Sequence, residues 1–272
     1  MLDDQKELPI GVFDSGVGGL TVVRALMERL PLENIIYFGD TARVPYGVKS
    51  VDTIERYTSQ IAEFLIHQPV KMLIIACNTM AAVASHAVKR KAGNIPVLNV
   101  IDAGARAALL NSTTQHIGVI GTPTTINSNA YARRIHALNP HARVFSQACP
   151  LFVPLVEEGW LDHPVTRLTA EEYLRPVLAE NVEALVLGCT HYPLLKPLLQ
   201  DVVGKQTLLI DSAITVAEEA ATLLQTKSLT NPGEHLANYR YYVTDIPLRF
   251  QTIGERFLGR ALSSIDKVTL LD

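Results

Sequence analysis

The chain has 272 residues, of which 48% are hydrophobic and 19% are charged, and its formal net charge is -3. This near-neutral balance, with no run of five like charges, disfavours binding to nucleic acid or to an anionic membrane surface. The acidic N-terminus, residues 1–7, has no apolar run behind it, and the apolar region 72–84 is shorter than the roughly 18 residues of a membrane helix. We therefore expect a cytoplasmic protein that has no membrane partner.

Short apolar runs alternate along the chain with amphipathic segments of helical length. The runs predict strands at 9–13, 35–38, 72–76, 97–100, 117–120, 144–146, 184–187 and 207–210. The segments between them predict helices at 20–30, 50–67 and 169–179. Because the runs show little polar alternation, they are typical of strands that a parallel sheet buries on both faces. The pattern therefore predicts an α/β fold.

Two sequence echoes indicate that an α/β unit occurs twice. The segment IGVFDS at 10–15 is echoed by IGVIGT at 117–122, and LIIACNT at 73–79 is echoed by LVLGCTH at 185–191. The two offsets, 107 and 112 positions, are nearly the same. We therefore expect two similar domains of the flavodoxin-like or Rossmann-like type, with mostly parallel sheets.

The C-terminal part of the chain predicts a helix at 212–225, then a loop that contains proline and glycine, then a strand at 239–244. We expect this tail to return to the first unit, which makes that domain discontinuous. The predicted first domain comprises residues 1–100 and 211–272, and the second comprises residues 101–210.

Polar or reactive side chains follow several of the predicted strands. They are Asp14, Asp40, Cys77, Thr122 and Cys189. Ligands of open α/β sheets bind outside the carboxyl ends of the strands. We therefore expect the functional site where these side chains meet.

A glycine-rich turn, DSGVGG at 14–19, follows a predicted strand and opens a predicted helix, so its backbone N–H groups can receive an anion. Asp40 follows the next strand, where a dinucleotide-binding protein places its ribose-binding acid. Against a dinucleotide, Thr21 occupies the third glycine position, and Asp14 would bring a negative charge to the pyrophosphate. A single small carboxylate suits the turn better, and a nicotinamide oxidoreductase stays as an alternative.

The three cysteines have no C-x-x-C spacing and do not form a disulfide framework. Cys77 and Cys189 each follow a strand and are followed by polar residues. Cys149 has no such context, so we expect it to be a buried structural residue.

A pair of thiols across one cleft suits some reactions better than others. A cysteine protease would leave one thiol idle, a redox pair favours C-x-x-C, and a metal site would have few ligands beyond Cys77, Cys189 and His191. Moving a proton from one face of a carbon to the other needs an acid/base group on each side, which two thiols supply. His191 is placed to help Cys189 ionise, and Asp14 is placed to accept a proton from Cys77.

Other polar residues are ambiguous at this stage. Glu157 lies in a proline-punctuated segment and is interpreted as a loop carboxylate, for which the pattern favours a solvated surface acid. The segment PYG at 45–47 is typical of an ordinary turn. Asp102, Arg43 and Arg106 suit either salt bridges or the binding of a substrate carboxylate.

Taken together and in this order, the motifs resemble those of bacterial glutamate racemases. The matching segments are FDSGVGGL at 13–20, YFGD at 37–40 with PYG at 45–47, ACNTM at 76–80 and LGCTHYPL at 187–194. The resemblance extends from about residue 10 to residue 224 and also implies two α/β domains with the site between them.

The resemblance implies a 1,1-proton transfer that interconverts L- and D-glutamate without cofactor or metal and supplies D-glutamate for peptidoglycan. It implies that Cys77 acts on the D-enantiomer and Cys189 on the L-enantiomer. In that scheme Asp14 assists Cys77, and His191 together with Glu157 assists Cys189.

The resemblance also implies a set of substrate-binding residues. They are Asp14, Ser15, Tyr46, Gly47, Asn78, Thr79, Thr122, Thr190 and His191. Asp40 matches a family acid without receiving a role, and Glu158 adjoins Glu157 as the alternative acid. Besides glutamate, a second copy of the chain is a candidate partner, because the family often forms homodimers. A racemase for aspartate and a non-catalytic amino-acid sensor are further alternatives.

Overall fold

The computed structural model describes residues 5–233, 235–246, 250–262 and 265–270. Residues 1–4 of the acidic N-terminus therefore lie outside the described residues. Within the described part, the strands form two separate sheets, and every strand pair is parallel. The strands are β1 Ile10–Asp14, β2 Ile35–Gly39, β3 Met72–Ile75, β4 Val97–Asn99, β5 His116–Gly121, β6 Arg143–Ala148, β7 Ala184–Gly188, β8 Leu208–Ile210, β9 Tyr239–Val243 and β10 Ile265–Lys267.

The two sheets repeat one arrangement of strands. The first has the order β10-β9-β2-β1-β3-β4 and the second has the order β6-β5-β7-β8. Four strands of the first, β2-β1-β3-β4, therefore correspond in order to the whole of the second. The echoed segments lie on corresponding strands, because β1 corresponds to β5 and β3 to β7. The prediction of two similar α/β units with parallel sheets is confirmed.

Helices cover the faces of both sheets. They are α1 Leu20–Arg29, α2 Val51–Ile66, α3 Asn78–Ala92, α4 Val100–Leu110, α5 Pro123–Asn127, α6 Ala130–Leu138, α7 Phe152–Glu157, α8 Pro164–Leu178, α9 Lys196–Val203, α10 Ser212–Thr226 and α11 Phe250–Leu258. None of the helices in the described ranges is long and apolar enough to cross a membrane.

The central strands are buried along their whole length, as the uninterrupted apolar runs predicted. Every residue of β1, β2, β3 and β7 is buried. Burial on both faces removes the largest apolar area from water and fixes the carboxyl ends of these strands with respect to one another.

Besides helices that were not predicted, one predicted helix begins earlier than expected and one strand is additional. Helix α8 begins at Pro164, five residues before the predicted start, because His163 Nδ1 accepts a hydrogen bond from the Val165 N–H and Pro164 occupies the first helical position. Strand β10 was not predicted, because it is three residues long and largely exposed.

The tail returns to the first sheet, where β9 pairs with β2 and β10 pairs with β9. Helix α10 packs against both α1 and α4, and its Glu218 and Glu219 pair with Arg29 and Arg106 of those helices. We propose domain boundaries at 1–100 with 211–272, and at 101–210, because the strands of each sheet come from these segments.

Candidate active site

A cavity of about 650 Å³ opens at the carboxyl ends of both sheets. Ser15, Tyr46 and Cys77 line it from the first sheet, and Thr122 and Cys189 line it from the second. Of the strand ends that the sequence singled out, Cys77, Thr122 and Cys189 therefore meet in a single cleft. Asp14 and Asp40 do not line it, because both side chains are buried.

The glycine-rich turn between β1 and α1 holds the carboxylate of its own Asp14. Asp14 Oδ2 accepts a hydrogen bond from the Gly16 N–H at 3.0 Å, and Gly19 packs so closely that a Cβ there would lie 2.5 Å from the Asp14 Cβ. The carboxylate thus occupies a donor that a dinucleotide pyrophosphate would need, which argues against the nicotinamide alternative. Burial raises the pKa of Asp14 despite an opposing effect of His191.

Cys77 precedes helix α3 and is 5% exposed. Its Sγ accepts from the Met80 N–H at 3.5 Å, as the capping group of that helix, and donates to Ser15 Oγ at 3.5 Å. Burial and then the negative charge of Asp14 raise the pKa of the Cys77 thiol to about 12. At neutral pH Cys77 is therefore a thiol.

Cys189 lies beside a histidine, whereas Cys77 lies beside an acid. His191 Nδ1 lies 3.9 Å from Cys189 Sγ, and His191 Nε2 lies 3.0 Å from Glu157 Oε1. Burial lowers the pKa of His191, but the hydrogen bonds to Cys189 and Glu157 outweigh it and raise the pKa to about 10. At neutral pH an imidazolium therefore stands beside the Cys189 sulfur.

The prediction that Glu157 is a loop carboxylate is wrong. Glu157 is the last residue of helix α7, and its side chain is 42% exposed. Pro154 does not break this helix, because it lies in the first turn, where its missing N–H has no helical partner. Glu158 follows the helix and is exposed, whereas Glu157 is the acid that reaches His191.

Hydroxyl and amide groups from both sheets surround the remaining space. Thr79 Oγ1 lies 2.9 Å from Thr122 Oγ1, and the hydroxyl of Thr124 donates to the carbonyl of Gly47 at 2.8 Å. Asn78 accepts a hydrogen bond through its Oδ1, but its buried Nδ2 has no hydrogen-bond partner among the residues that the structure describes, and Asn78 lines the cleft.

Thr190 joins the two halves of the site. Its carbonyl accepts a hydrogen bond from Thr21 Oγ1 at 3.2 Å, and its hydroxyl lies so close to Gly18 that a Cβ there would overlap it. The glycine-rich turn and the turn after β7 are therefore in direct contact.

The segment 45–47 is more than the ordinary turn that the sequence indicated. Tyr46 is 2% exposed, and its hydroxyl donates to Asp40 Oδ2. Asp40 also accepts from Arg43 Nε at 2.7 Å and from Thr244 Oγ1 at 2.8 Å. This network fixes the loop that brings Tyr46 and Gly47 to the cavity, and it gives the buried Asp40 a structural environment.

The ambiguous charged residues form ion pairs within the protein. Arg43 pairs with Asp40, Arg106 with Glu219, and Asp102 with Arg134. These contacts favour the salt-bridge interpretation over substrate binding.

Cys149 is completely buried, and its Sγ contacts the carbonyl of Gln147 at 3.7 Å, which agrees with a structural role. Among the residues that the structure describes, no group of three His, Cys, Asp or Glu side chains is arranged to hold a metal ion. A second, more open depression of about 430 Å³ lies at the opposite end of the second sheet, beside Glu183 and Thr207, and the predicted site residues do not line it.

Sequence reasoning missed the contribution of helix α11. Phe250 and Ile253 line the cavity, and the ring of Phe257 packs edge-on against His191 with 4.8 Å between centroids. Arg256 Nη1 donates to the carbonyls of Val156 and Glu157, at 3.1 and 3.2 Å. No local motif marks these residues, and only the amphipathic spacing of the tail could have indicated that this helix packs on another element.

Comparison with known proteins agrees with this geometry. The sequence model of the Asp/Glu/Hydantoin racemase family matches residues 19–220. Glutamate racemase of Syntrophus aciditrophicus is 70% identical over 262 residues, which cover 96% of this chain and 97% of the relative. Glutamate racemase of Neisseria meningitidis is 61% identical over 265 residues, covering 97% and 98%. The structure of glutamate racemase from Francisella tularensis in complex with D-glutamate has a TM-score of 0.92 and 47% identity, covering 97% and 98% of the two chains.

Proposed function

Because the chain belongs to the glutamate racemase family of isomerases, we propose that it interconverts L- and D-glutamate by moving the α-proton between two thiols. The observation that carries this proposal is the pair of buried cysteines, Cys77 and Cys189, which line one cavity from two different sheets. Removal of a proton from one face of the α-carbon and delivery to the other face requires such a pair.

The electrostatics of the two thiols support a direction for each half-reaction. With L-glutamate bound, the Cys189 thiolate beside the His191 imidazolium takes the α-proton, and the Cys77 thiol gives its proton to the opposite face. The product is D-glutamate, and the enzyme is left with a Cys189 thiol and a Cys77 thiolate. In the reverse direction this Cys77 thiolate takes the α-proton of D-glutamate, and the Cys189 thiol gives its proton to the opposite face. When the enzyme starts instead with a Cys77 thiol and a Cys189 thiolate, Asp14 first accepts the proton of Cys77, and the His191 imidazolium gives a proton to Cys189.

The carbanion that forms between the two steps needs hydrogen-bond donors at the α-carboxylate. The partnerless Nδ2 of Asn78 and the hydroxyls of Ser15 and Thr79 line the cavity and supply such donors. We assign substrate binding to Asp14, Ser15, Tyr46, Gly47, Asn78, Thr79, Thr122, Thr190 and His191.

In this proposal the enzyme works in the cytoplasm without a cofactor and supplies D-glutamate for peptidoglycan. The support is the membership of the glutamate racemase family and a chemistry that the side chains of the cleft can carry by themselves. A second copy of the chain is its expected protein partner.

The experiment is incubation of the purified protein with L-glutamate in deuterated water, with a chelator and without added cofactor. We expect the α-proton signal in the NMR spectrum to disappear while the circular dichroism of glutamate falls to zero. The same assay with aspartate tests whether the protein is an aspartate racemase instead. Faster turnover of aspartate would move the proposal to that acid, and binding of glutamate without exchange would favour an amino-acid sensor.

A further inference from the structure

Helix α11 reaches across the cleft and contacts the end of helix α7. Arg256 Nη1 donates to the carbonyls of Val156 and Glu157, the last two residues of α7. The guanidinium also packs against Gly159, where a Cβ would lie 2.9 Å from Arg256 Nη2. One side chain from the C-terminal tail therefore holds the end of the helix that carries Glu157.

Helix α7 needs such an external contact. It has only six residues, and no side chain caps its N-terminus. The final carbonyls of a helix have no helical donor, and a cation there is favoured by the helix dipole. A helix this short is marginal unless tertiary contacts hold it. Arg256 donates hydrogen bonds to the last carbonyls of α7 and places a positive charge there, at the residue that carries the carboxylate.

The position of Glu157 matters because of what its carboxylate contacts. Glu157 Oε1 lies 3.0 Å from His191 Nε2, while its side chain is 42% exposed and so not fixed by packing. Its placement must come from the backbone. The same helix α11 also supports the other partner, since Phe257 packs edge-on against the ring of His191.

We propose that Arg256 is a positioning residue for racemisation, which aligns the Glu157 carboxylate with His191 and thereby supports proton transfer at Cys189. The expected effect on the rate rests on the proposed two-thiol mechanism, whereas the contact between Arg256 and helix α7 does not. Helix α11 is then a part of the active site that the C-terminal tail contributes from outside the glycine-rich and cysteine motifs.

The charged and titratable groups around His191 lie at different distances. Cys189 and Glu157 contact it directly, Asp14 interacts with it from the glycine-rich turn, and Arg256 contacts the backbone of Glu157. As a bare positive charge, Arg256 would lower the pKa of His191, so its removal would raise that pKa. As a positioning residue it strengthens the Glu157 contact, so its removal lowers the pKa. The sign of the change separates the two roles.

The experiment compares Arg256→Met with Arg256→Lys in the full chain, by NMR titration of the His191 imidazole. Arg260→Met is the matched control, because Arg260 follows the same helix but lies over the ring of Tyr239. We expect the pKa of His191 to fall by about 1 in Arg256→Met. It should fall less in Arg256→Lys, which keeps a donor, and it should stay unchanged in Arg260→Met. In a Glu157→Gln background, Arg256→Met should produce no fall.

Isotope effects supply the kinetic readout. We expect Arg256→Met to reduce kcat by roughly tenfold to a hundredfold, as a small misplacement of a catalytic group does. If transfer at Cys189 slows selectively, the deuterium effect on kcat/KM rises with α-deuterated L-glutamate and falls with the D-enantiomer. General loosening of the fold would not move the two effects in opposite directions.

The outcomes separate this inference from the proposed function. A wild-type protein that does not racemise glutamate, with the titration shifts as expected, would overturn the function and leave the positioning role intact. An active wild type in which Arg256→Met leaves the pKa of His191 unchanged or raises it would overturn the positioning role.

Discussion

Cys77 and Cys189 are alike in burial and differ in the charge beside them. Asp14 disfavours ionisation of Cys77, whereas the imidazolium of His191 lies next to Cys189. In the proposed mechanism, this difference assigns the role of first proton donor to Cys77 and that of first proton acceptor to Cys189.

The protonation of His191 has a consequence for stability. Its folded pKa of about 10 lies above the ordinary value of 6.5, so the folded state binds this proton more tightly than the unfolded state does. The stabilisation is fully present below pH 6.5 and is lost as the pH rises towards 10. We expect the difference in free energy of unfolding between wild type and His191→Gln to shrink over that interval.

Chemical denaturation at several pH values measures this difference, and the same change at the exposed His141 is the control. A difference between wild type and His191→Gln that is independent of pH would show that His191 is not held protonated in the folded protein.

At the level of elements, the sequence predicted what depends on long apolar runs and local motifs. The buried strands, the glycine-rich turn after β1 and the placement of Cys77 and Cys189 at strand ends could all be predicted. Short elements were missed: α7 has six residues, too few for a periodic pattern, and α11 is amphipathic but carries no local motif. Glu157 was misread for the same reason, since its partner His191 is 34 positions away in the sequence and adjacent only in the fold.

The contact between the two turns makes Gly18 a sensitive position. A Cβ at Gly18 would overlap Thr190 Oγ1 and lie 2.6 Å from His191 Nδ1. We expect Gly18→Ala to separate the turns, to destabilise the protein by about 1–3 kcal/mol and to lower kcat/KM by roughly a hundredfold.

The control for this change is Gly11→Ala, where a Cβ would lie 2.9 Å from Leu73 Cδ2 at the opposite end of β1. It should also destabilise the protein, by less because the end of the Leu73 side chain can shift, and leave kcat/KM close to wild type. Equal losses of kcat/KM in the two variants would mean that overpacking alone, and not the turn contact, explains the effect at Gly18.

At the scale of the whole molecule, the repetition of one α/β unit explains why the cleft has a cysteine on each side. Two sheets with the same order of four strands each end in a cysteine turn, and both turns line one cavity. Helix α10 packs on helices α1 and α4, and helix α11 crosses to α7, so the tail ties the two halves together. In the proposed mechanism each sheet thus supplies one acid/base group, and the substrate binds in the cleft between them.

The most direct measurement of the two-thiol claim follows each enantiomer of glutamate in deuterated water with Cys77→Ser and with Cys189→Ser. We predict that neither variant racemises glutamate, that Cys77→Ser exchanges the α-proton of the L-enantiomer only, and that Cys189→Ser exchanges that of the D-enantiomer only. A single variant that still racemises glutamate would contradict the account.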